Sequence, residues 1–219
     1  MHKTKAKTLP TLERRNYSFE VRAEQDEQHG SIITGRPVVY SSETDIMGMF
    51  SEIIEPGALD GADLSDVRFL VNHDLSKIPL ARSRNNNENS TMQLSTDSEG
   101  LSIRVTLDTE NNSEARALYS AVQRGDISGM SFMFSIANER WEGENTEYPK
   151  RHIDKIASIV EVSAVTFPAY EDTEINARGG TLESARTALE SAREKAKRTK
   201  APEGVDELAL AKAKALYIN

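Results

Sequence analysis

Three short words in this chain carry residues able to do acyl-transfer chemistry if a fold brings them together. GDISGMSFMF, residues 125–134, sets Ser131 between a glycine-rich turn and an alternating run of Phe and Met. VRFLVNHD, residues 67–74, ends with His73 where a strand-like run gives way to polar residues. ASIVEVSAV, residues 157–165, holds Glu161 among small and apolar neighbours. A serine hydroxyl becomes a nucleophile only when a base takes its proton and a third group orients that base. Histidine suits the base, because its ordinary pKa of about 6.5 lies close to neutrality. A carboxylate inside an apolar run is costly unless it is paired or hydrogen-bonded.

Each residue also has a plainer reading: a small residue entering a strand, a turn histidine, a glutamate facing solvent. Ser128 and Ser135 compete with Ser131, and Asp74 and Asp154 compete with Glu161. Asp74 is the weaker competitor, since neighbouring residues on a strand point to opposite faces. Gly125 and Gly129 permit a close backbone approach, so amides at Ser128–Met130 are candidates for stabilising an oxyanion. The local word GMSFM is not the G-x-S-x-G elbow of hydrolases.

The elements that must position these residues read as mostly β. Residues 17–40 have strand character, with Gly35 marking a bulge or bend, and 41–66 read as mostly loop. A strand is expected over 67–72, a hairpin about Ser98–Gly100, and long strands in MSFMFSIANERW and HIDKIASIVEVSAVTF, closed by PAY. Residues 111–124 read as a helix capped by Asn111, Asn112 or Ser113, with Ala115, Leu118, Ala121 and Val122 on its apolar face and Gly125 ending it. Residues 1–16 read as a flexible lead-in. Beyond Gly180 the composition turns to Ala, Glu, Arg and Lys, giving a helical tail over 181–219 interrupted at Pro202–Gly204. LESAR recurs at 182–186 and 189–193, and that offset keeps Leu182 and Leu189 on one face, a short coiled-coil-like signal.

Composition narrows the chemistry further. There is no cysteine in the 219 residues, which excludes disulfides, a thiol nucleophile and thiolate metal ligands. His2, His29, His73 and His152 are the only histidines, too few for a histidine-rich metal site, and no cofactor is expected. No phosphate cradle ending in GK[ST] and no HExxH occurs. A net charge of −8 argues against non-specific nucleic-acid binding, although Lys and Arg cluster at 3–15 and 193–200. No run reaches the length of a membrane span, and the basic N-terminus lacks the apolar stretch of a secretory signal. A cytoplasmic setting, or a compartment assembled from one, is expected.

Taken together, five words resemble the prohead maturation proteases of tailed bacteriophages that accompany HK97-like capsid proteins. They are EIIEPGAL at 52–59, VRFLVNHDLSKIPLAR at 67–82, GLSIRVTL at 100–107, GDISGMSFMF at 125–134 and IVEVSAVTFPAYEDTEI at 159–175. The resemblance spans about residues 17–178, and it implies that Ser131 is the nucleophile, His73 its base and Glu161 the third member, with Asp154 in reserve. These proteases in turn resemble herpesvirus assemblins, whose third member is a histidine, which keeps His152 in consideration. The implied fold is mainly β with helices, β-barrel-like and herpesvirus-protease-like. The implied partners are the major capsid protein with its scaffolding segment, and further copies of the chain itself, inside the immature capsid in the host cytoplasm. No membrane and no direct nucleic-acid role is expected. Oxyanion donors on the SRNN turn, 83–86, and self-cleavage or scaffold contact through 181–219 complete the expectation. A non-catalytic assembly or scaffolding factor with a degenerate protease-like domain is the alternative.

Overall fold

The computed structural model describes residues 12–17, 21–26, 30–166 and 181–200. Two sheets and a helix enclose the main core. The larger sheet holds β1 (Leu12–Tyr17), β4 (Thr44–Ile46), β5 (Phe50–Ile54), β6 (Asp66–Val71), β7 (Ala81–Arg84), β10 (Gly129–Glu142) and β11 (Lys150–Val165). The smaller runs β2-β3-β9-β8, from β2 (Val21–Asp26), β3 (Gly30–Val39), β8 (Met92–Asp97) and β9 (Gly100–Leu107). After β9 comes α1 (Ser113–Arg124), which packs beside β2, β3 and β9, and α2 (Thr181–Lys200) ends the described chain. Among the described residues neither sheet closes on itself, so the barrel-like closure expected from the resemblance is absent there. The long pair β10–β11 bends instead, through register shifts between residues 133 and 139, where bulges coil the strands.

The alternation read in the sequence becomes the packing. Met130, Phe132 and Phe134 of β10, with Val162 and Ala164 of β11, face the same core as Ile33, Leu101, Ile103 and Val105 of the smaller sheet. The bend expected at Gly35 is a register shift between Gly35 and Val38, where Pro37 has no N–H for the ladder. Asn112 caps α1, its side-chain oxygen accepting from the N–H groups of Glu114 and Ala115, and left-handed Gly125 ends it. Ala115, Leu118 and Val122 are buried on its core face, while Ala121 is only half-buried.

Gly100 follows the two-residue β8–β9 turn with φ +139°, and a Cβ there would lie 2.0 Å from the Val38 carbonyl oxygen. Backbone cannot yield that distance, so Gly100→Ala is expected to cost at least about 2 kcal/mol. The urea midpoint would report it, falling with little change in slope.

Two segments differ from expectation. Residues 41–66, read as mostly loop, contain β4 and β5, and β5 pairs parallel to the start of β11. Residues 12–16, read as part of a flexible lead-in, lie in β1 alongside β10. On α2, Leu189 of the recurring leucine pair turns inward and, with Ala185, packs on Ile46 and Phe50 of the same chain. Burying Leu189 stabilises this contact by about 1.5–3 kcal/mol. The side chain of Leu182, the PAY closure, His2, His29 and the second tail helix expected after Pro202 lie outside the described residues.

Candidate active site

Strand register brings three distant words of the sequence to one place. Across the antiparallel β10–β11 pair, Ser131 stands opposite Ser163 and Met133 opposite Glu161. Directly opposed residues share a sheet face, so Ser131, Ser163 and Glu161 lie together on the side away from Phe132 and Val162. On the other flank of β11, β6 runs parallel, with Leu70 beside Ser163 and Val71 beside Ala164. The chain then turns back sharply. Asn72 and His73 both adopt left-handed backbone, φ 52° and 58°, a conformation in which Asn and His are over-represented among non-glycine residues. Asn72 is tied to the end of β11, its side chain accepting from the Thr166 N–H at 2.9 Å and donating to the Thr166 hydroxyl at 3.0 Å.

That turn folds the His73 ring onto Glu161. Nδ1 of His73 is hydrogen-bonded to Oε1 of Glu161. The second carboxylate oxygen, Oε2, accepts from the Ser163 hydroxyl at 2.6 Å. The same Ser163 Oγ accepts the backbone N–H of His73 at 3.1 Å. Glu161 and Ser163 are fully buried, and the His73 side chain is only 10% exposed. A carboxylate so placed must have its lone pairs engaged, and His73 and Ser163 engage one oxygen each. Ser131 is also fully buried, and its hydroxyl donates to the Arg15 carbonyl at 2.7 Å.

Arg15 belongs to a buried ion network that fixes β1 against the sheet. Its guanidinium holds Glu13 at 2.5 Å and Glu52 Oε2 at 2.7 Å. Arg151 reaches the same two carboxylates at 2.8 and 3.1 Å and pairs with Glu139. Burial pushes the Glu13 carboxyl up, but its hydrogen bond to Arg151 and the charges of Arg15 and Arg151 outweigh this and hold it below its ordinary 4.5. The strand whose carbonyl meets Ser131 is therefore anchored by charges taken out of water.

The competing residues lie elsewhere. Asp154 pairs with Arg140 at 3.1 Å and lies seven positions along the strand from Glu161, about 23 Å. His152 is bonded to Glu55 at 2.6 Å and lies about 30 Å along β11 from Glu161. Asp74 accepts from the Ser76 N–H and hydroxyl. Ser128 is exposed ahead of β10, and Ser135 bonds Ser158 at 2.8 Å. The SRNN turn is a correction: Arg84 pairs with Asp66, about 17 Å along β6 from Val71, and the Asn85 amide bonds the Ser65 carbonyl. Antiparallel β7 carries that turn to the end of β6 remote from His73.

Sequence reasoning missed Ser163, Asn72 and Arg15. The first had a signal, since Glu-x-Ser on a strand puts both side chains on one face. Asn immediately before His73 had another, as a residue that tolerates left-handed backbone. For Arg15 the only local sign is the alternation of Glu13 and Arg15, whose partners are distant in sequence.

The family described as caudovirus prohead serine protease matches residues 17–187, which include Ser131, His73, Glu161 and Ser163 but not Arg15. The prohead protease of Enterobacteria phage HK97 is 33% identical over 130 residues, covering 58% of this chain and 52% of that protein. The chain thus spans about half the length of the curated relative it matches. No solved structure matches it.

Proposed function

The chain belongs to the caudovirus prohead serine protease family, and on that premise we propose that it is a serine endopeptidase of bacteriophage prohead maturation. In this reading Ser131 is the nucleophile, His73 the general base and Glu161 the group that orients the imidazole. The observation that supports it most is the buried set in which Glu161 holds His73 Nδ1 while Ser131 stands in register opposite Ser163.

The chemistry follows from that arrangement. With Nδ1–H donated to Glu161, the lone pair of His73 resides on Nε2. That nitrogen takes the Ser131 proton as Oγ attacks the scissile carbonyl carbon. Glu161 balances the positive charge that develops on the ring. Nε2–H then protonates the leaving amine, the amide C–N bond breaks, and water releases the acyl group from Ser131 by the same steps. In the resting structure the hydroxyl proton points at the Arg15 carbonyl, so attack begins with its redirection to Nε2 by rotation about χ1.

Substrates are the scaffolding segment of the major capsid protein and the protease itself, met inside the immature capsid, with copies of the chain associating there. The domain that acts is 17–178, and 181–219 is the scaffold-contacting or self-cleaved appendage. The herpesvirus-protease-like fold is part of the same proposal, supported by a mainly β architecture with helices. Among the described residues no helix is long and apolar enough to cross a membrane.

Co-expression with the capsid protein tests the proposal. Intact mass should reveal new, defined termini on the capsid protein with the wild-type chain and none with His73→Ala. Assembled particles holding only full-length capsid protein would favour the assembly factor instead. Ser163 offers a graded check. Ser163→Ala removes a charge-assisted hydrogen bond to Glu161 worth about 1.5–3 kcal/mol, so kcat should fall roughly 10- to 100-fold with KM little changed. Ser163→Thr, which keeps the hydroxyl, should recover part of the loss.

A further inference from the structure

Beside His73 lies a cavity of about 440 Å³ between the 72–80 loop and α1. Both segments that the protease reading uses contribute to it. Asn72 and Asp74, which flank His73, line it, and so does Ile127, four residues before Ser131. Leu70, also in its wall, is registered beside Ser163 on β11. Parallel partners share a sheet face, so Leu70 lies on the side of Ser131 and Ser163. Val71, Leu80, Leu118 and Ile127 belong to the main core or pack on it, and the cavity sits where the edge of that core meets the turn that carries His73. The rest of the wall is mostly apolar, with Val71, Ile78 and Leu80 from the strand and loop side and Ala117, Leu118 and Ala121 from α1, and Lys77 and Glu114 add a charged pair.

The loop itself is unusual. Ile78 is 84% exposed and Leu75 61%, the two most exposed large hydrophobic residues among those described. Ile78 lines the cavity, and the Lys77–Glu114 ion pair at 2.8 Å ties the loop to α1. Apolar side chains held in water beside a mostly apolar hollow mark a surface built to be covered. The size lies within the range of ligand pockets, with room for a large side chain and its adjoining backbone.

We propose that this cavity is a specificity pocket that takes a large apolar side chain (Leu, Ile, Met, Val or Phe) of the substrate polypeptide at a fixed position near the scissile bond. The inference rests on the protease reading above and adds which substrates the site selects. Ile78 covers the bound side chain, while Ala121, half-buried on α1, leaves the floor open because its own side chain is one methyl group. A site that buries an apolar group discriminates against a polar or much smaller one by about 10- to 200-fold.

The test uses the full chain co-expressed with its capsid protein, mapping every new terminus by mass spectrometry. A fluorophosphonate serves as a small probe of Ser131 that does not need the pocket. The cut sites should share one apolar position, and replacing that residue by Asp in the capsid protein should slow cleavage at least about tenfold. Ala121→Phe, which fills the hollow, should slow cleavage by a similar factor and shift tolerance toward Ala or Gly, with fluorophosphonate labelling of Ser131 unchanged. Should Ala121→Phe fail to fold, Ala117→Trp on the exposed side of α1 and Ile78→Asp on the loop carry the same expectation. Unchanged rate and unchanged residue preference in the filled-pocket variants would overturn the pocket while leaving the protease intact. Neither cleavage nor Ser131 labelling in the wild-type chain would overturn the protease reading, and the pocket with it.

Discussion

Glu161→Gln should lower kcat by about 10³- to 10⁴-fold while leaving the fold and KM nearly unchanged. The substitution preserves volume at a site that is fully buried, so packing is not the cause. What changes is the proton on the imidazole. Glu161 can only accept, so its bond to His73 Nδ1 keeps the proton on Nδ1 and the lone pair on Nε2. A glutamine amide held by the Ser163 hydroxyl can turn its NH₂ group toward Nδ1, which favours the other tautomer and takes the base away from Ser131. Loss of balancing charge for the imidazolium adds to the deficit. Single-turnover cleavage of the capsid protein, beside a thermal melt, separates this effect from unfolding. A variant with wild-type kcat would remove Glu161 from the proposed triad.

Arg15→Met should destabilise the protein by about 3–5 kcal/mol, through uncompensated buried charge rather than lost area. Arg15 and Arg151 serve Glu13, Glu52 and Glu139. Removal of Arg15 leaves three carboxylates to one guanidinium, with Glu52 fully buried. For a chain of this size the melting temperature should drop by roughly 6–20 °C. The acid side carries a matching signature. Because the folded-state Glu13 carboxyl sits below its ordinary 4.5, its contribution is complete above that pH and is lost as pH falls through the lower, folded value. Wild-type stability should therefore decline below about pH 4.5, and Arg15→Met should show a weaker decline there. A melt unchanged by Arg15→Met would show that the network adds nothing to stability.

How much of this was legible in the sequence depends on whether the signal was local. Strands such as GLSIRVTL announce themselves because one face is buried and the alternation is clean. α1 is equally plain, since its cap, apolar face and terminating glycine are all local. β1 was hidden because LERRNY turns Glu13 and Arg15 into the interior, where hydropathy predicts apolar residues. Only Glu52 and Arg151, remote in sequence, make that tolerable. β5 was hidden for a similar reason, its Glu52 buried in a run that reads as a broken apolar loop.

The candidate site shows the same division. Ser131, His73 and Glu161 stood out by residue type and setting, and β-sheet register explains how segments nearly ninety residues apart meet. The register also removes Asp154 and His152 from reach of the His73 ring, which the long strand expected over HIDKIASIVEVSAVTF could not do without knowing that β6 pairs beside its Glu161–Ala164 end. Ser163 was passed over because a buried strand serine is unremarkable until its two hydrogen bonds are seen. The oxyanion expectation at SRNN failed because the direction of a hairpin decides which end of β6 its turn approaches.

The most direct measurement is made in particles in which capsid-protein cleavage is under way. A fluorophosphonate is added, cleavage is followed by intact mass, and the modified residue is mapped, beside an identical preparation of Ser131→Ala. Arrest of cleavage with one adduct on Ser131, and no cleavage by Ser131→Ala, is the predicted result. Arrest with the adduct on another residue, or continued cleavage by Ser131→Ala, would contradict the assignment of Ser131 as the nucleophile.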